Sequence, residues 1–140
     1  MKISRWSKQR ATVTIADNGT ATSTGGFSSE GGKAEAKTDG ILQLLGYVWG
    51  AIRVTSGTWV AADFTFTASH TRDGTFDPVY DKDGTLVRSK MGSNTAGWFS
   101  IPVDVFMAGQ YVKLVSTNTG SAATVSQTGG PIVIEIEFGS

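Results

Sequence analysis

The sequence has no cysteine and a single histidine, His70, in 140 residues. Disulfides, thiol chemistry, and zinc sites built from cysteines or several histidines are therefore excluded. Charge is scarce as well: Lys plus Arg and Asp plus Glu number 12 each, and together they make up only 17% of the chain. With a formal net charge of zero, the chain lacks the basic excess of a nucleic-acid binder, so no nucleic-acid partner is expected. A neutral, sparsely charged surface favours association over dispersal, which points to an oligomer or an assembly. Long hydrophobic runs are also missing. The longest apolar stretch, Ile41 to Val54, is interrupted by Gln43, Gly46, Gly50 and Arg53, short of the ~20 residues a membrane helix needs. No membrane partner is expected. The opening MKISRWSKQR has no apolar core of a secretory signal, so the expected place of synthesis is the cytoplasm, with exit possible inside a larger particle.

The motifs of common chemistries are absent too. No nucleophile elbow occurs, and no Gly-Gly step is followed by Lys-Ser/Thr as a phosphate loop requires. The acidic segment Asp81-Lys82-Asp83-Gly84 mimics the start of a calcium loop. The fifth and twelfth positions of that loop fall on Thr85 and Gly92, so the bidentate glutamate is missing. Asp81 and Asp83 remain the weak metal candidates, and Asp83-Gly84 is expected to be a tight turn. Asp73-Gly74 reads likewise, as a turn after which TFDPVY runs back beside the preceding strand. Pro78 would confine that strand to an edge. No enzyme activity and no cofactor are expected.

What is present is alternation with a period of two. Val13 and Ile15 share one face of ATVTIA; Phe64, Phe66 and Ala68 share one face of ADFTFTAS; Ile132, Ile134, Ile136 and Phe138 share one face of PIVIEIEF. A strand gathers such residues on one side, whereas a helix scatters them. Four buried side chains of this kind contribute roughly 6–12 kcal/mol before entropy is subtracted, so the last strand is expected to be central, with Pro131 at its start. Between Leu42 and Val54 one long strand bent at Gly46 is expected, two strands joined near Gly46 being the alternative. Ser56-Gly57 is expected to turn the chain into the next strand. KAEAK is too short to nucleate a helix. PVDVFMAG is the one place for a helical turn, Pro102 near its start and Gly109 past its end. STGGFSSEGG and STNTGSAATVSQTGG read as exposed loops, and Asn18-Gly19-Thr20 as a turn. Trp49 and Trp59 are expected in the core and Trp98 more open. Turn signals mostly recur every 8 to 12 residues, the spacing of an all-β, antiparallel β-sandwich. The chain divides into a basic arm, residues 1–9, with Trp6 among Lys2, Arg5 and Lys8, and a single β-sandwich domain, residues 10–140.

One run carries a resemblance: SGTWVAADFTFTAS, then DGTFDPVYDKDGTLV, IPVDVFMAGQYVKLVS and PIVIEIEF. It resembles small structural proteins of tailed phages and prophages, through Trp59, Ala62, Phe64, Phe66, Ser69, Asp73, Gly74, Phe76, Tyr80, Asp83, Gly84, Pro102, Phe106, Leu114, Val115 and Ser116. The resemblance spans roughly residues 41 to 138. It departs from the pattern at His70, Thr71 and Arg72, which lengthen the first turn. It implies a jelly-roll-like β-sandwich in the virion. The role it implies is a capsid decoration or cement protein that binds outside the shell, with the major capsid protein as partner and a trimer as the favoured oligomer. Under that role the contact regions are the arm and the loop from Thr117 to Gly130, giving Lys2, Arg5, Trp6, Lys8, Arg10, Asn118, Thr119 and Gln127 as candidate contacts. The rival expectations are a receptor- or carbohydrate-binding module of a fibre or tail, which would show exposed aromatics, and a tail-tube or head–tail joining subunit.

Overall fold

A computed structural model describes residues 8–28, 35–94, 96–108 and 110–140. Among the described residues strands predominate and the one helix has six residues, so the class is all-β. The elements run β1 (Lys8–Ile15), β2 (Thr22–Ser28), β3 (Glu35–Ala36), β4 (Ile41–Gln43), β5 (Trp49–Thr58), β6 (Asp63–Ser69), β7 (Asp77–Pro78), β8 (Arg88–Ser89), β9 (Phe99–Ser100), α1 (Val103–Ala108), β10 (Tyr111–Thr117) and β11 (Gly129–Gly139). Hydrogen bonds join the strands in the order β7-β6-β10-β4-β2-β1-β11-β5-β9, with β3 beside β2 and β8 beside β6. This is one continuous sheet curled into a half-barrel around a shared core. It is not purely antiparallel as expected: β2 and β4 pair in parallel, Gly26 with Ile41 and Phe27 with Leu42.

The curl turns on β2. Its first half pairs with β1 and its second with β3 and β4. The change of partner falls at Gly25 and Gly26, both at positive φ (76° and 124°). A Cβ at Gly26 would lie 2.3 Å from the Ile41 carbonyl oxygen, and one at Gly25 2.1 Å from that of Thr12. Only glycine fits where two backbones pass this closely. STGGFS is therefore a sheet corner rather than the exposed loop expected of it, and Phe27 is buried.

The last strand is central, as its alternation requires: β11 pairs with β1 on one side and β5 on the other. Ile132, Ile134, Ile136 and Phe138 are all fully buried. They meet Phe64, Phe66, Leu114 and Leu42 from the other half of the sheet in one core. Pro131 falls inside β11, where the register with β5 slips between Gly129 and Val133; a bulge tolerates its missing N–H. On the opposite edge, β7 contains Pro78 and pairs only with β6, the place foreseen for it.

Between Leu42 and Val54 the chain forms two strands, not one. Tyr47 N–H donates to the Leu44 carbonyl (3.1 Å), and Gly46 takes φ 88°, the third position of a turn that demands positive φ. Ser56-Gly57 is not a turn: β5 runs on through it to Thr58. Gly57 takes φ 91° against Pro131, whose carbonyl oxygen would be 2.4 Å from an added Cβ. The helical turn falls where expected, directly after Pro102. Asn18 takes φ 65° and the following Gly19 N–H donates to Ala16 (2.8 Å), closing the turn.

Candidate functional site

Among the described residues seven large hydrophobic side chains are exposed: Leu45, Val48, Trp49, Tyr80, Trp98, Val103 and Met107. Five of them, all but Tyr80 and Trp98, come from the turn between β4 and β5, from Trp49 at the start of β5, and from α1. Backbone hydrogen bonds place the turn and α1 side by side. Ile101, just before α1, donates to the Gly50 carbonyl (2.9 Å), and Gln110, just after it, accepts from Leu44 N–H (2.8 Å). Leu44 and Gly50 bracket the turn, so the helix lies along it. Both halves of the sheet end here: Lys8 pairs with Gly139, Gly139 with Trp49, and Tyr111 with Gln43 and Ser69.

The turn is anchored from beneath. Tyr47 meets Phe138 edge to face (centroids 4.8 Å apart) and approaches Phe27 (6.3 Å), and Phe27 meets Phe138 (5.1 Å). Such pairs add about 0.5–1.5 kcal/mol each beyond their burial. Val48 N–H donates to Gly139 (2.8 Å). Gly50 is buried, with Ile101 Cδ1 and Phe106 Cζ each 3.0 Å from where a Cβ would be. In LLGYVWG, then, Leu44, Tyr47 and Gly50 face inward and push Leu45, Val48 and Trp49 out. On α1, Val105 is buried while Val103 and Met107, four apart on the opposite face, are exposed. Met107 is 80% exposed, an arrangement that supplies adaptable apolar surface to a partner.

Of the contact residues named from sequence, Lys8 and Arg10 stand at the same end, on the outer face of β1. Both are engaged by Glu137 across the strand: Lys8 Nζ at 2.6 Å and Arg10 Nε at 3.3 Å. The hydrogen bond from Lys8 holds the Glu137 carboxyl below its usual range. Lys2, Arg5 and Trp6 lie outside the described residues, as does most of the expected arm. Lys8 and Gln9, assigned to the arm, are already in the sheet.

Asn118 and Thr119 are exposed, but at the opposite end of the molecule, beyond the Thr117 end of β10. Asn118 Oδ1 accepts from Gly120 N–H (2.8 Å), and its carbonyl accepts from Arg88 (2.9 Å). Gln127 corrects the expectation of a loop contact, since it is fully buried. Its amide donates to the Val60 carbonyl and Ser116 Oγ (2.9 Å each) and accepts from Val60 N–H (2.8 Å). It pins two loops together and has no free group to offer. Trp59 is buried as expected and donates its indole N–H to Gly92 (3.2 Å), whereas Trp49, expected inside, is 41% exposed.

The acidic turn performs a conformational task. Asp81 Oδ1 accepts from the N–H groups of Asp83 (2.8 Å) and Thr85 (3.0 Å), and Gly84 takes φ 78°. Asp83 pairs with Lys82 (3.2 Å). Among the described residues no three His, Asp or Glu side chains converge to hold a metal ion. His70 is exposed in the turn after β6.

Two arginines that sequence reading left without a role are structural clamps. Arg72, within the longer first turn, reaches both oxygens of Asp39 (2.9 and 2.8 Å) and the Phe27 carbonyl (3.2 Å), and lies over Tyr111. Burial pushes the Asp39 carboxyl up, but Arg72 and the Ile41 N–H outweigh it and hold the group below its usual range. Arg88 donates to Asp63 (3.1 Å) and to the carbonyls of Asn118 and Ser121. Asp63 is 3% exposed. It alternates with the inward-facing Phe64, yet its carboxylate is covered, accepting from Arg88 and from Gly92 N–H (3.1 Å).

Compared with family models, curated proteins and solved structures, the chain gave no match in any of the three.

Proposed function

We propose that this protein is a non-enzymatic structural component of a tailed-phage virion, a decoration protein that docks on the capsid shell through the apolar end formed by the β4–β5 turn and α1. The observation that carries the reading is the concentration of Leu45, Val48, Trp49, Val103 and Met107 at one end, on elements anchored by the Tyr47–Phe138–Phe27 cluster. A rigid platform loses little conformational freedom on docking. Apolar side chains rimmed by polar ones are what a protein interface presents. The phage-like pattern of residues 41 to 138 supplies the setting, and with it the finer fold: the two halves of the curled sheet as the layers of a jelly-roll-like sandwich. The partner is the major capsid protein, the virion the destination and a trimer the working oligomer, since several weak contacts on a symmetric shell multiply into stable attachment.

Co-sedimentation with undecorated shells tests this. The double variant Val103→Asp and Met107→Asp changes only exposed positions, so we expect it to fold normally and keep its oligomeric state by light scattering. Its shell occupancy should fall at least about tenfold, corresponding to ~1.4 kcal/mol. Unchanged occupancy would reject this end as the contact.

A further inference from the structure

We propose that the outer face of β1, β11, β5 and β9 carries a binding strip for a neutral oligosaccharide, bounded by Trp49 and Trp98. Alternation along β5 turns Gly50 and Ile52 into the core and leaves Trp49, Ala51 and Arg53 on the outer face. Trp98, immediately before β9, joins that face, because the Arg53 guanidinium lies 5.0 Å from its ring centroid. The two indoles are 41% and 44% exposed. Trp49 and Arg53 are four residues apart on one strand, roughly 13 Å at ~3.3 Å per residue, and the small side chain of Ala51 lies between them. The result is a shallow strip with an aromatic platform at each end, the length of a short chain of sugars rather than of one.

The floor of the strip supplies hydrogen-bonding groups already held in place. Glu135 is paired with Arg53 (3.4 Å) and Glu137 with Lys8 and Arg10. Glu135 Oε1, the oxygen that faces Arg53 Nε, is buried, so the groups the strip offers to hydroxyls are the partly exposed Lys8, Arg10 and Arg53 side chains. Alternating carboxylates and cations offer both acceptors and donors, as a polyhydroxylated ligand requires. The three cations exceed the two carboxylates by one charge, but each is already ion-paired, so the residual field is small and the strip suits hydroxyl groups better than a strongly charged ligand. Pyranose rings present C–H faces that meet the negative face of an indole. The strip is distinct from the apolar end except at Trp49, and Trp98 belongs to it alone.

Full-length protein titrated with maltohexaose, cellohexaose and chitohexaose, followed by tryptophan fluorescence and calorimetry, tests the proposal. We expect at least one hexaose to bind with Kd below ~1 mM. Trp98→Ala and Trp49→Ala should each weaken it at least about tenfold at unchanged thermal stability. Tyr80→Ala, which alters an exposed aromatic on the opposite edge of the sheet, should leave it unchanged. Trp98→Ala should still co-sediment with shells, so the strip and the shell contact fail or stand separately. Absence of binding by all three hexaoses, or full affinity in Trp98→Ala, would overturn the strip.

Discussion

At the scale of single residues, the most constrained positions are those where backbone passes close to backbone. Gly26 combines φ 124° with an Ile41 carbonyl 2.3 Å from any added Cβ. Gly84 has φ 78° with nothing within 4 Å. Gly84→Ala should therefore cost about 1–2 kcal/mol, the penalty of a left-handed conformation alone. Gly26→Ala adds a clash that separates β2 from β4 and should cost at least ~3 kcal/mol. Urea denaturation of the two variants measures the difference; equal losses would mean that close approach is not what the corner needs. Single polar residues matter in the same way. Removing Arg88 leaves the buried Asp63 carboxylate unpaired and should cost about 3–5 kcal/mol, whereas removing Gln127 strands the neutral Val60 and Ser116 groups and should cost about 1–3 kcal/mol.

Among the elements, β11 carries the fold. It is paired along both edges, and its inward side chains reach both halves of the sheet. Ile136→Ala should destabilise by about 2–5 kcal/mol, because a fully buried aliphatic is lost and a cavity remains. Thr12→Ala, on the exposed face of neighbouring β1, should stay within about 0.5 kcal/mol. Thermal unfolding of both separates inward from outward positions, and comparable losses would contradict the register. The turn between β4 and β5 shows how an element presents a surface. Its own alternation would hide as much as it shows, yet the aromatic cluster beneath and the helix alongside decide that Leu45, Val48 and Trp49 face out.

For the molecule as a whole, two depressed carboxyl groups among the described residues contribute to the response to acid. Asp39 and Glu137 lie below their ordinary values of 3.8 and 4.5. Groups depressed in the folded state bind fewer protons there than in the unfolded chain. Their stabilising effect is full above those ordinary values and is lost as pH falls through the folded ones. The urea midpoint should stay level from neutral pH down to about 5 and drop below about 4.5, less steeply in Arg72→Ala, which removes the cause of the Asp39 shift. A midpoint that rises on acidification would contradict the assignment. Both groups bridge separate strands or loops, so acid should loosen the Asp39–Arg72 clamp across the β2–β4 region and the Glu137 pairs between β1 and β11.

Alternation along the chain by itself determined the all-β class, the burial of Ile132, Ile134, Ile136 and Phe138, the central place of the last strand and the edge place of Pro78. Turn chemistry, being equally local, determined the bends at Asn18-Gly19 and Asp83-Gly84 and the short helix after Pro102. A period of two is written into any strand with one face in a core, and a left-handed φ selects its residue at the position itself. Pairing between distant strands was decided only by tertiary structure: the parallel β2–β4 contact, the corner at Gly25-Gly26, the roles of Asp63, Arg72, Arg88 and Gln127, and the gathering of exposed apolar side chains at one end. These depend on which segments the curl of the sheet brings together. No local pattern encodes that, since a threonine, a glycine or an arginine reads the same in sequence whether it faces solvent or another strand.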